Sequence, residues 1–474
     1  MRKIFPFQAE IGNLPIEEIR LDPKSRDDIP ALLLGLQYLY THKETREALF
    51  DLLEKEVLPG VDLNNGRPGM TVWGILVMGI LKQGLNCDFD RLHELVNKHI
   101  DVQAFLGHGV FHREYQLQQV IDNVSLLRPE VLAKVNQLVV ETGHRVSKKK
   151  PGEKLLGRCD SFAVETNVHH PTDVSLLYDA MRVLVRTTAR EAEASNLPGW
   201  RQSQYRLRKV KQAFNRVRRM RQAQTRPAQV KAYLESCQAL VTKAHTTLEA
   251  LSQHGGGEVV CARIQGFIDH AERQTDQISR RLLHGEAIPH GEKVFSIFEP
   301  HTRWNAKGKA GRPVELGVPV CILEDQHQFI LHHRVLWEGG DAAVAVPMIT
   351  ETQALYPDLT LCSFDKGFHS PENRIALDAL LEHNVLPRKG RLTQADRERE
   401  GEATFQAARR QHPAIESAIN NLEHRGFDRV CTHGSEGFER TVSLSILAFN
   451  VHRLGLILRQ QLREKEKPRR RRAA

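Results

Sequence analysis

Residues 157–173, GRCDSFAVETNVHHPTD, decide the reading of this chain, because they place an acid inside an apolar β-strand pattern. Period-two alternation puts Phe162 and Val164 on the face of Asp160, and Cys159 and Ala163 on the other. A carboxylate in that company carries a large desolvation cost unless a cation or a donor offsets it. A bound divalent metal would serve, and so would an arginine such as Arg158. The stretch alone leaves both open; its neighbours in the chain favour the metal.

Downstream, Pro171, Thr172 and Asp173 supply a turn and an N-cap, and Leu177, Ala180, Leu184 and Thr188 follow at helical spacing. The pattern stays helical over 174–290. Within it, residues 201–231 carry eleven Lys or Arg and no acid, while Leu207, Val210, Phe214 and Val217 keep one apolar stripe. Arg206, Arg208, Lys209, Lys211, Arg216, Arg218, Arg219 and Arg221 are the candidate nucleic-acid contacts of this segment. A charge run is commonly just a solvated face, but so many like charges repel one another unless a polyanion neutralises them. Two further helical segments, 230–251 and 259–283, meet at Gly255, Gly256 and Gly257 as in an antiparallel hairpin.

Strand patterns return at 293–298 (KVFSIF), 315–324 (ELGVPVCILE) and 329–337 (FILHHRVLW), the last two separated by a polar hairpin at 325–328. Residues 359–365, LTLCSFD, form another apolar strand ending in Asp365, at the end where open α/β sheets bind ligands. A helix start follows at Ser370, Pro371 and Glu372, then a short strand near 385–387. A single helix is expected through RRQHPAIESAINNLEHR, with Ile415, Ile419 and Leu422 buried and Glu416, Asn420 and Glu423 on the adjacent stripe. A last apolar helix, SLSILAFNVHRLGLILRQQL, precedes a basic tail at 465–474 that is expected to be disordered.

Upstream, residues 30–141 repeat apolar positions at spacings of three and four, as in Leu32, Leu36 and Leu39. The block GRPGMTVWGILVMGILKQGLNCDFDRLHELV fits a helix-turn-helix around residues 84–86, and it fits a helical hairpin used only for packing or dimerisation equally well. Residues 147–154, SKKKPGEK, read as a basic linker. The expected organisation is a helical domain at 1–146 for DNA-end binding or dimerisation, that linker, and an α/β domain at 155–464 with a helical insertion at 174–290.

The 474 residues allow two or three domains, and 67 Lys and Arg against 58 Asp and Glu leave a net charge of +9, which suits a polyanionic partner. Seven scattered cysteines without a Cys-x-x-Cys pair support neither a zinc finger nor a disulfide framework. No signal-peptide pattern and no membrane-length apolar run is read, so a soluble cytoplasmic protein with no membrane partner is expected.

Without the 174–290 excursion, the element order is that of an RNase H-like α/β domain. In that topology the first and fourth strands are neighbours, so Asp160 and Asp365 converge and the helix bearing Glu416 covers the same end. Three carboxylates suit Mg2+ or Mn2+ as a pair of ions, and with them in-line phosphoryl transfer on nucleic acid.

Four ordered blocks, DSFAVETNVHHPTD, KGKAGRPVELG, FDKGFHSPEN and HPAIESAINNLEHRGFDR, together resemble the catalytic blocks of bacterial insertion-sequence transposases of the DDE class, most nearly the ISNCY group. The resemblance implies that Asp160, Asp365 and Glu416 are the catalytic and metal-binding acids, that Asn373 is the asparagine of its block, and that Lys309 contacts DNA. It implies double-stranded DNA as partner, both the element's inverted repeats and the target, and a homodimer or higher assembly on DNA. Related groups carry a tyrosine, an arginine and a lysine where this chain has Arg409, His412 and Glu423. Arg409, His412 or Arg425 would then take over positioning of the DNA end. An RNase H-like DNA nuclease, or a non-catalytic DNA-binding descendant of a transposase, are the alternatives.

Overall fold

The computed structural model describes residues 3–5, 11–57, 69–109, 111–219, 226–253, 257–306 and 314–471, the last six as backbone only. The protein is mixed α/β, mostly helical, with one mixed seven-stranded sheet. It divides into two compact units, one formed by Met1–Asn167 with Lys307–Ala474 and the other by Val168–Ala306.

In the first unit, α1 (Asp28–Thr41), α2 (Lys43–Glu56), α3 (Val72–Gly84), α4 (Phe89–Lys98), α5 (Ile100–Phe105), α6 (Leu117–Val124) and α7 (Pro129–Val146) precede β1 (Leu155–Thr166). Asp27, Thr71 and Asp88 cap α1, α3 and α4 by accepting from backbone N–H groups of the first turn. These helices do not form a separate domain. They share one apolar core with Cys159 of β1 and with Leu444, Leu447, Val451 and Leu454 of α17 (Gly434–Arg471). Small residues permit the closest approach: side chains at Gly35 of α1 or Gly455 of α17 would collide with the Val451 and Ala31 carbonyl groups.

The second unit carries α8 (Asp173–Ala194), α9 (Ser203–Arg219), α10 (Arg226–Gln253) and α11 (Glu258–Ile278), and its residues end with β2 (Arg303–Ala306). Thr172 caps α8 as expected, and Leu207, Val210, Phe214 and Val217 of α9 are buried against Leu177, Leu184 and Tyr233 in a core of this unit's own. Residues 293–298 are not a strand. Ile297 is buried and Val294 half-buried in that helical core, so their apolar side chains are used without strand pairing.

Returning to the first unit, β3 (Val314–Glu324), β4 (Ile330–Val335), α12 (Asp341–Leu355), β5 (Leu359–Phe364), α13 (Pro371–Leu380), β6 (His383–Val385), α14 (Gln394–Gly401), α15 (Ala403–Gln411), α16 (Ala414–Leu422) and β7 (Arg429–Val430) precede α17. The sheet runs β4-β3-β1-β5-β6: β4 is antiparallel to β3, β3 antiparallel to β1, β5 parallel to β1 and β6 parallel to β5. The short β7 pairs in parallel with the far end of β1. At the edge, Asn450 of α17 bonds both backbone groups of Ile330, and Asn136 of α7 donates to the same carbonyl, so these polar groups of β4 are satisfied by side chains.

The helix expected across 409–425 is broken. Pro413 has no amide to donate, so α15 ends at Gln411 and α16 begins at Ala414. A long apolar run, not expected from the sequence, is present as well: α17 holds a stretch long and apolar enough to cross a membrane, and 78% of that window is buried in the protein, as in a central core helix. Its backbone continues through Arg471, so most of the expected tail extends this helix.

Candidate active site

Strand β1 supplies the first acid. Asp160 lies opposite Ile322 of β3, and with Phe162 and Val164 it faces α16, whose Ile415, Ala418 and Ile419 pack on that side of the sheet. Asp365 directly follows β5, the parallel neighbour of β1, and leads a 3-10 turn at Lys366–Phe368. Glu416 is in the first turn of α16 and is exposed, as Asp365 is. The sheet thus brings acids far apart in sequence to one end.

Electrostatics register the convergence. The Asp160 carboxyl is pushed up to about 6, first by burial and then by the negative charges of Asp365, Asp341 and Glu416, against one backbone donation from Ser161 at 2.8 Å. Arg158 does not neutralise it. That guanidinium lies 3.0 Å from Glu324 and also donates to the Asp325 carbonyl, so the arginine partner allowed by the sequence is committed elsewhere. Among the described residues no basic side chain pairs with Asp160, and no three His, Cys, Asp or Glu side chains are already drawn into a ligand set. The acids share a field; their all-oxygen donors suit Mg2+ or Mn2+.

Asp341 is the member that sequence reading missed. It opens α12 after Gly339 and Gly340, where the sequence shows only a helix start; the packing of α12 on β3, β4 and the Lys366–Phe368 turn, with the Ser161 hydroxyl of β1 donating to Asp341, puts its charge at Asp160. Asn373 stitches the same corner together, donating to the carbonyls of Ala342 at 2.6 Å and Phe368 at 2.8 Å. The asparagine of the FDKGFHSPEN block therefore fixes the turn after Asp365 to the start of α12.

The residues expected to position a DNA end each make contacts within the protein. His412 is buried, bonded to Ser363 at 3.0 Å, and burial holds its imidazole down at about 4, so it offers no cationic surface contact. Arg409 donates to the Phe364 carbonyl at 2.7 Å, one residue before Asp365, and so braces the tip of β5. Arg425 donates to the Gly84 carbonyl at 2.6 Å and lies 3.0 Å from Asp28, locking the end of α3 to α1. Glu423 follows the end of α16.

Arg206, Arg208, Lys209, Lys211, Arg216, Arg218 and Arg219 are all exposed on α9, opposite its buried stripe. Arg221 and Lys309 lie outside the described residues. In the helical block upstream, every residue from Val72 to Leu81 is buried, and α4 exposes Asp90, Arg91, Glu94 and Lys98, two acids against two bases. Those features fit a packing hairpin better than a pair of helices reading DNA. No known protein family, curated protein or solved structure matches this chain.

Proposed function

We propose that this chain is a DNA transposase of the DDE class, with Asp160, Asp365 and Glu416 as its acids and the element's ends and target DNA as substrates. The observation that carries it is the sheet order β4-β3-β1-β5-β6 with its two antiparallel and two parallel pairings, the order expected of an RNase H-like domain, with Asp160 on β1 and Asp365 just after β5. On that topology α8–α11 are an insertion after the first strand. Asp160, Asp365 and Glu416 would hold the divalent ions, which when bound activate the attacking oxygen and stabilise the leaving one. The chain itself holds the acids in place through Arg409 at the end of β5, Asn373 at the following turn and the packed stripe of α16. The exposed cations of α9 would bind phosphates. Two ends cut together call for at least two subunits.

The test is cleavage and joining of double-stranded DNA from the flanks of the gene, with Mg2+ or Mn2+. Asp160→Asn, Asp365→Asn and Glu416→Gln are each expected to lose activity by at least about 10³-fold, with double variants losing little more because the acids act as a unit. DNA binding in EDTA should persist, and Glu423→Gln should stay active. Cleavage without joining would replace the transposase with a nuclease. Binding without cleavage would leave a DNA-binding protein.

A further inference from the structure

The Ser161 hydroxyl donates to Asp341 Oδ1 at 2.5 Å, and the other carboxylate oxygen of Asp341 rests against Gly367, where an added Cβ would lie only 2.7 Å away. Ser161 follows Asp160 on β1, and Gly367 is two residues beyond Asp365. One carboxylate therefore touches the residue next to the first aspartate and the turn that carries the second. Asp341 is half-buried, and α12 behind it is rooted by Val344, Ala345, Met348 and Ile349 in the core.

We infer that Asp341 is a positioning residue of the transposase site, a strut between β1 and the Lys366–Phe368 turn that sets the separation of Asp160 and Asp365. This rests on the proposed DDE function. The strut explains two residue choices that the acids alone do not. Ser161 supplies the hydroxyl that ties the opposite face of β1 to α12, whereas a larger apolar side chain would leave that carboxylate without a donor. Gly367 makes room for the close approach of Asp341, and its φ is not positive, so the approach and not its backbone conformation is what a side chain there would disturb. A side chain there would drive Asp341 off the turn. Asn373 fastens the same turn to the backbone of α12, so the strut joins a corner that is already held on its other side.

The experiment compares Asp341→Asn, Asp341→Ala, Ser161→Ala and Gly367→Ala in the full chain by two readouts. The first is hydrogen exchange of peptides covering β1 and the turn after Asp365, measured without metal or DNA. The second is the split of cleavage into kcat and KM for end DNA. Asp341→Ala, Ser161→Ala and Gly367→Ala are expected to speed exchange at the turn and to lower kcat by up to about 10²-fold, as for misplaced reacting groups, with KM little changed. Asp341→Asn keeps an acceptor for Ser161 and should retain most of the rate.

Unchanged exchange in Asp341→Ala would overturn the strut. So would Asp341→Asn as inactive as Asp341→Ala beside an active Ser161→Ala, which would make Asp341 a metal ligand. Absence of metal-dependent cleavage by the unsubstituted chain would overturn the transposase function, and the exchange comparison would still read the strut separately.

Discussion

Arg158 and Glu324 form a buried ion pair, 3.0 Å apart across the β1–β3 ladder and almost without exposure. The pair removes from Asp160 the cation nearest to it in sequence. Asp160 is left with a backbone donor and three acids for company, the condition in which a divalent cation has most to offer. A pairing that stabilises nothing at the site itself thus shapes the charge of the site.

That pair has a pH signature. Burial pushes the Glu324 carboxyl up to about 7 from an ordinary value of 4.5, against the pull of Arg158. Between those values the folded chain binds more protons than the unfolded one. The contribution of Glu324 to stability is therefore fully present below pH 4.5 and is lost as pH rises through about 7. Glu324→Gln should flatten the dependence of Tm on pH across that window. Arg158→Met removes the charge that holds the Glu324 carboxyl down, and should destabilise the fold more at pH 8, where the carboxyl is mostly charged, than near pH 5, where it is already neutral. Equal losses at both values would show that Glu324 does not titrate there.

Helix α9 buries its stripe of Leu207, Val210, Phe214 and Val217 while its cations face solvent, so the proposed phosphate contacts can be tested apart from folding. Reversing Arg216, Arg218 and Arg219 to Glu should leave thermal unfolding nearly unchanged and reduce the slope of log K against log salt by roughly 3, about 0.9 for each phosphate no longer neutralised. An unaltered slope would make α9 a solvated face only.

The N-terminal helices and α17 should unfold together. Gly455→Ala pushes a methyl into the Ala31 carbonyl and is expected to cost about 1–3 kcal/mol, as overpacking does. It should raise hydrogen exchange in α1 and α17 alike. A loss confined to α17, with α1 unaffected, would mean the two helices are independent.

Much of the local structure is legible in the sequence. Alternation locates β1, β3, β4 and β5, and it places Asp160 on the face of Phe162 and Val164. Helical spacing locates the buried stripe of α9 and the run of helices before β1. These follow from local periodicity, because a strand or an amphipathic helix writes its buried face into the chain residue by residue. Pro413 is equally visible, and its missing amide outweighs the helical spacing around it and ends α15.

Tertiary structure decided what depends on partners far away in sequence. Whether Arg158 serves Asp160 or Glu324 turned on the register of β1 against β3, and the bond of His412 to Ser363 turned on the burial of both. The apolar side chains of the N-terminal helices are buried in one core with the chain's own α17. Asp341 carried no signal of its own. A helix-opening acid becomes part of a site only when the sheet and α12 bring it between Ser161 and Gly367, and contacts of that kind are fixed by packing, which no local pattern records.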